Sequence, residues 1–126
     1  MSWISAGAAA LALAVMLGAF GAHGLQGRLD AYSLGVYEKA VFYHFVHALG
    51  LLIVAGMRAA GLVHRSTSQW VCILLTVGIV FFSGSLYTLA VTGNRMLGAI
   101  TPIGGVAFIA AWITLAICSA KSRPVI

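Results

Sequence analysis

Between Arg65 and Arg95 the chain reads STSQWVCILLTVGIVFFSGSLYTLAVTGN (residues 66–94), without one charged side chain. The hydrocarbon core of a bilayer is about 30 Å thick and takes roughly 20 apolar residues of helix to cross. This run is long enough to do so. Three more uncharged windows flank it, at residues 1–27, 40–57 and 96–120. They set the expected spans at about 3–22, 40–60, 69–91 and 98–120, separated by a polar loop at 25–39. The fold class this predicts is all-α, an integral-membrane bundle of four transmembrane helices in a single domain covering residues 1–126.

Composition agrees. Of 126 residues 62% are hydrophobic and 7% charged, with mean hydropathy +1.07, whereas a soluble domain carries about a quarter charged residues. Four spans of about 20 residues use some 80 positions. No room remains for a nucleotide-binding, hydrolase or nucleic-acid-binding domain.

The net charge of +5 would suggest nucleic acid in a soluble protein. Here the cations stand at the ends of apolar segments, where they anchor helices, so the expected partner is the lipid bilayer and not nucleic acid. With four spans, Arg58, Arg65, Lys121 and Arg123 share one side with both termini, and Arg28, Lys39 and Arg95 share the other. Four cations against three lean towards cytoplasmic termini. No Lys or Arg precedes the first apolar run, so that segment reads as a retained membrane helix and not as a cleaved signal. Cys72 and Cys118 fall in separate spans, as small buried residues do, and not as a disulfide framework.

Small residues recur every fourth position in the first span: Ser2, Ala6, Ala10, Ala14, Gly18 and Ala22. Such a stripe lets helix backbones approach closely, within the subunit or across a homo-oligomer. Residues 25–39 hold four of the nine charges and suit a short interfacial helix or an extension of the second span. Tyr32, Tyr37 and Tyr43 fit headgroup depth. Glu38, the one glutamate, is expected in the first turn of the second helix, where a carboxylate favours the positive end. Its functional reading is a proton acceptor at the membrane edge near His23. Thr101 is a candidate N-cap for the fourth span, with Pro102 in the first turn.

Polar groups inside a bilayer each need a partner or a purpose. The candidate polar cluster is His23, Tyr43, His44, His47, Ser83, Ser85, Tyr87 and Thr101. His44 and His47 lie one turn apart on the small-residue face of the second span, pointing into the bundle. Neutral histidines bonded to neighbouring helices are the favoured reading, ahead of a proton or ion path. A metal site on His23, His44 and His47 is the third, since imidazole suits zinc, copper and iron, and thioethers from Met16, Met57 and Met96 would suit Cu(I). No cofactor is expected. There is no Gly-x-Ser-x-Gly, His-Glu-x-x-His, P-loop or Cys-x-x-Cys, so no catalytic residue is assigned and an enzyme is not favoured.

Four motifs, one per span, carry a resemblance. They are Gly18-Ala-Phe-Gly-Ala-His-Gly-Leu25, Tyr37-x-x-Ala-x-x-Tyr-His-x-x-His-Ala-Leu49, Phe82-Ser-Gly-Ser-Leu-Tyr87 and Gly98-Ala-Ile-Thr-Pro-Ile-Gly-Gly105. Together they resemble the domain-of-unknown-function family 423, which includes eukaryotic transmembrane protein 256 and small bacterial inner-membrane proteins. The resemblance implies a compact four-helix protein of the bacterial inner (plasma) membrane without an established activity, and brings no catalytic residues to transfer. The function expected is therefore a structural or interaction bundle that self-associates. The alternatives are a transporter, channel or proton-linked module on the His cluster, or a metal- or cofactor-binding membrane protein. The sequence names no small-molecule or ion ligand.

Overall fold

The computed structural model describes residues 2–121, with side chains through Ser119; Ser122, Arg123 and the Pro124-Val-Ile tail lie outside the described residues. Helix α1 (Trp3–His23) starts where the Ser2 hydroxyl accepts the Ser5 N–H at 3.1 Å. Helix α2 (Ala31–Ala59) starts at Asp30, whose carboxylate accepts the Ser33 N–H at 2.7 Å. Each cap satisfies one of the first-turn donors that a helix leaves unpaired. Helix α3 (Arg65–Gly78) passes through a π-helical turn at Ile79–Ser83 into α4 (Gly84–Thr92), and the three make one span of 65–92. That span stops at Gly93, whose φ of 71° only glycine adopts freely. A 3-10 turn (Arg95–Ala99) leads into α5 (Thr101–Lys121). All four spans are long and apolar enough to cross a membrane.

The second helix begins well before residue 40, taking up most of the expected polar loop. Asp30 caps it, and Leu34 and Tyr37 then point one face at Leu25 and Ala90 in a small core at this end of the bundle. At 1.5 Å per residue α2 is about 44 Å long, more than the hydrocarbon needs, so its first turns emerge at headgroup level. Glu38 consequently sits in the third turn and not the first. The helix-end carboxylate is Asp30.

Helix α2 is the centre of the bundle. Helix α1 runs antiparallel along it, with Gly7 against Leu51 and Leu52, Gly18 against Val41, and Gly21 against Tyr37. The buried line on α1 is Gly7, Ala14 and Gly21. Ala6, Ala10 and Gly18 are half-buried, and Ser2 and Ala22 are exposed. The reason is geometric: a four-residue step drifts about 40° around a 3.6-residue helix, a seven-residue step only about 20° the other way. The small-residue stripe thus works inside the subunit, along α2.

On the other side of α2 a core of Leu51, Val54, Val71, Cys72, Leu75, Phe108 and Ala111 joins α2, α3 and α5. The large apolar side chains left exposed, among them Val15, Phe42, Ile53, Trp70, Val80 and Val106, form the lipid-facing surface. Lipid gives the helices no hydrophobic reason to associate, so cohesion rests on close packing and interhelical hydrogen bonds. The closest approach is α5 on the π-helical turn. A Cβ at Gly104 would fall 2.7 Å from the Phe82 Cα, and backbone cannot swing aside; at Gly105 it would meet only the Phe82 ring, at 3.7 Å.

Gly104→Ala is therefore expected to destabilise the bundle by roughly 1–3 kcal/mol, as overpacking does, while Gly105→Ala stays within about 0.5 kcal/mol. Denaturant titration in bicelles measures both. Equal effects would refute the close approach.

The Asp30 carboxyl is held below its ordinary value of 3.8, first by the Ser33 backbone N–H, then by the Ser33 hydroxyl and the Arg95 charge. A depressed folded pKa means that the cap's contribution is present above 3.8 and fades as pH falls through the lower folded value. Amide exchange in the first turn of α2 should accelerate, beyond the intrinsic pH effect, over that acidic window. Asp30→Asn, a neutral cap of similar strength, should abolish the excess.

Candidate functional site

The polar side chains of the interior come from α2, α3, the π-helical turn, α4 and the start of α5. On α2, Tyr37, His44 and His47 face inward, all buried. His44 and Tyr37 are seven residues apart and so share one helix face. His44 Nδ1 lies 2.9 Å from the Tyr87 hydroxyl on α4, and the Ala10 carbonyl of α1 is the ring's other polar neighbour. One hydroxyl and one carbonyl suit a neutral imidazole, which has one donor and one acceptor nitrogen. The Tyr87 ring stands edge-on to Tyr37, centroids 5.2 Å apart, and the Tyr37 hydroxyl donates to the Leu17 carbonyl of α1. These contacts form a polar seam that ties α1, α2 and α4 together at fixed register. Tyr37 is only 3% exposed, in the space that Gly21 leaves open.

His47 turns the other way. Its ring stacks on Phe108 of α5, centroids 3.5 Å apart and planes 12° from parallel, with Trp112 tilted beside it. Its Nδ1 is 2.7 Å from the Tyr43 carbonyl one turn back, so it acts as donor there. The two imidazoles share a helix face in sequence yet diverge, one towards α4 and one towards α5.

The remaining candidates do not join them in one cluster. Ser85 and Thr101 share a hydrogen bond of 2.6 Å between α4 and the start of α5, and Ser85 Oγ also donates to the Phe82 carbonyl. With the Ser85 proton on the Phe82 carbonyl, the Thr101 hydroxyl donates its one proton to Ser85 Oγ instead of capping α5. Ser83, in the π-helical turn, is fully buried with no partner for its hydroxyl. Tyr43 is 37% exposed against Phe42 and Phe82. His23 is exposed at the end of α1. It lies 13 residues, about 20 Å along the helix, from the Ala10 carbonyl that His44 faces. Glu38 is exposed on a groove of about 170 Å³ with Gly18, Gly21, Ala22 and Gln26, and His23 does not line it. Among the described residues no three His, Cys, Asp or Glu side chains converge as a metal site.

The chemistry available here is hydrogen bonding between helices. His44, Tyr87 and Tyr37 answer one another's polar groups, and the largest of the described cavities, about 550 Å³, is lined by neither histidine. That cavity, between the start of α1, the end of α2 and the start of α3, includes the buried Ser68, which residue spacing did not single out. Its only sequence signal is the Ser/Thr-rich run at 66–69 facing Trp3 across the bundle end.

A double-mutant cycle on Tyr87→Phe and His44→Leu measures the seam. Interhelical bonds in membranes average about 0.6 and reach about 1.7 kcal/mol, and a coupling of about 1 kcal/mol is expected here. Additive effects would show that the two side chains act separately.

Comparison with known proteins places the chain. The model of a family described as a protein of unknown function, DUF423, matches residues 17–105. A UPF0382 membrane protein of Staphylococcus epidermidis is 50% identical over 122 residues, covering 94% of this chain and 95% of that protein. One from Staphylococcus saprophyticus is 52% identical (94% and 97% covered), and YwdK of Bacillus subtilis 49% identical (94% and 96%). No solved structure matches. These relatives are named membrane proteins of bacteria, in keeping with four helices apolar enough to cross a membrane, and the chain belongs to the DUF423 family of uncharacterised membrane proteins.

Proposed function

We propose that this protein is a non-catalytic membrane bundle that works by helix association within the bilayer, including association with its own copies. The observation that carries this reading is the outward face of α1. Ala8, Ala9, Ala12 and Ala19 are exposed there, and α1 is the least covered span, with 17% of its apolar window buried against 44% for α2. Ala8, Ala12 and Ala19 fall within about 40° of one another, between the exposed Val15 and Met16, and small residues so grouped let a second helix approach closely in lipid. Its inner face is already taken by α2, so the outer one is left for another chain.

The interior supports the non-catalytic part. His44, Tyr37 and Tyr87 are engaged with one another or with backbone, and His47 is stacked and bonded to the Tyr43 carbonyl. A proton or ion path would need a continuous polar line, whereas His44 and His47 diverge and His23 stands apart. A resident metal or cofactor finds little support for the same reason, and none is proposed.

Native mass spectrometry from nanodiscs tests the association. Wild type is expected as a dimer or higher species, and Ala8→Leu with Ala12→Leu should weaken it about tenfold by roughening the face, with the unfolding midpoint of the monomer unchanged. A wild type that stays monomeric at high protein-to-lipid ratio overturns the reading.

A further inference from the structure

The chain has only two side-chain carboxylates, Asp30 and Glu38, and both belong to the early part of α2 or its cap. Arg58 is in the last turn of the same helix. Twenty residues separate it from Glu38, about 30 Å along the axis, so neither acid can neutralise it. Arg58 lines the cavity of about 550 Å³ together with Ser2, Trp3, Ala55, Ser68 and Gln69.

The acceptors there are already taken, Ser2 Oγ by the Ser5 N–H and Gln69 Oε1 by Trp3, which leaves donors. The Trp3 indole N–H donates to Gln69 Oε1 at 2.9 Å, which fixes the amide orientation and leaves its NH₂ as a donor. Ser68 is fully buried, and its hydroxyl meets no oxygen or nitrogen; its polar neighbour is the soft Cys72 thiol one turn on, within the field of Arg58. A buried hydroxyl with no polar neighbour but a thiol, beside a cation that meets no carboxylate among the described residues, points to a ligand that supplies acceptors and negative charge. The first turns of α1 and α3 flank the same cavity and set the positive ends of two helices against the negative end of one, α2. Trp3 sets the depth at the membrane interface, and Ala55 with Ile4 offers an apolar wall.

We infer that this cavity binds the phosphate of an anionic phospholipid headgroup, with Arg58 as its main counterion and Gln69 and Ser68 as further donors. The site is independent of whether copies of the chain associate.

The test is native mass spectrometry of protein released from nanodiscs of phosphatidylcholine containing phosphatidylglycerol. Wild type and Arg65→Gln, an exposed cation that does not line the cavity, should retain phosphatidylglycerol selectively. Arg58→Gln and Gln69→Glu should each lose that selectivity by about tenfold, the scale of one charge-assisted bond. Gln69→Glu keeps the acceptor for Trp3, so its loss with an unchanged circular-dichroism melt reads charge and not folding. Equal losses in Arg65→Gln and Arg58→Gln, or no selectivity in wild type, overturn the site. In a parallel arm inorganic phosphate is added to the same nanodiscs, and no displacement is expected. Displacement with the same Arg58 dependence would make the ligand a soluble phosphate and overturn the headgroup assignment.

Discussion

The approach of helix backbones where side chains are smallest governs this structure. In hydrocarbon a helix satisfies its own backbone, and apolar side chains are as content against lipid as against each other. What remains to hold helices together is contact density, which grows as axes come closer. Here α1 meets α2 along Gly7, Ala14 and Gly21, and α5 meets the third span at Gly78 under Phe108 and at Gly104 against the Phe82 backbone. Remove these and the bulky residues on the facing helices would stand the spans apart.

The polar seam refines what close packing begins. Contact density alone tolerates small slides of one helix along another. A hydrogen bond does not, because a buried donor or acceptor left unpaired in a low-dielectric interior is penalised. Tyr37 to the Leu17 carbonyl, His44 to Tyr87, and Ser85 to Thr101 each join separate elements. Together they place α1, α2, α4 and α5 at one register. The π-helical turn at Ile79–Ser83 serves the close packing and not the hydrogen bonds: Gly104 packs against its Phe82 backbone, and its Ser83 hydroxyl is unpaired.

Much of the site was visible residue by residue and little of it as an arrangement. His44, His47, Tyr87, Ser85 and Thr101 are conspicuous because polar groups in apolar runs are expensive. Their pairing was not visible, because helical periodicity gives the face of a residue but not its rotamer or its partner helix. His44 and His47 share a face and still point at different neighbours. That Tyr37 is buried is likewise hidden from periodicity, because the space for its ring is opened by Gly21 on another helix. The four-residue stripe passes over Gly7 and Gly21 because the contact of α1 with α2 repeats every seven residues.

Sequence alone determined the solvent. Long uncharged runs, cations at their ends and small residues within them commit the chain to four helices in a membrane, because transfer free energy depends on composition and length and not on neighbours. Only the tertiary structure decided which small residues meet, where α2 begins, and which polar groups answer one another. It also brought the start of α1, the end of α2 and the start of α3 around Arg58 and Ser68. Those outcomes depend on distances between segments far apart in the chain, and no local pattern encodes a distance that folding has yet to create.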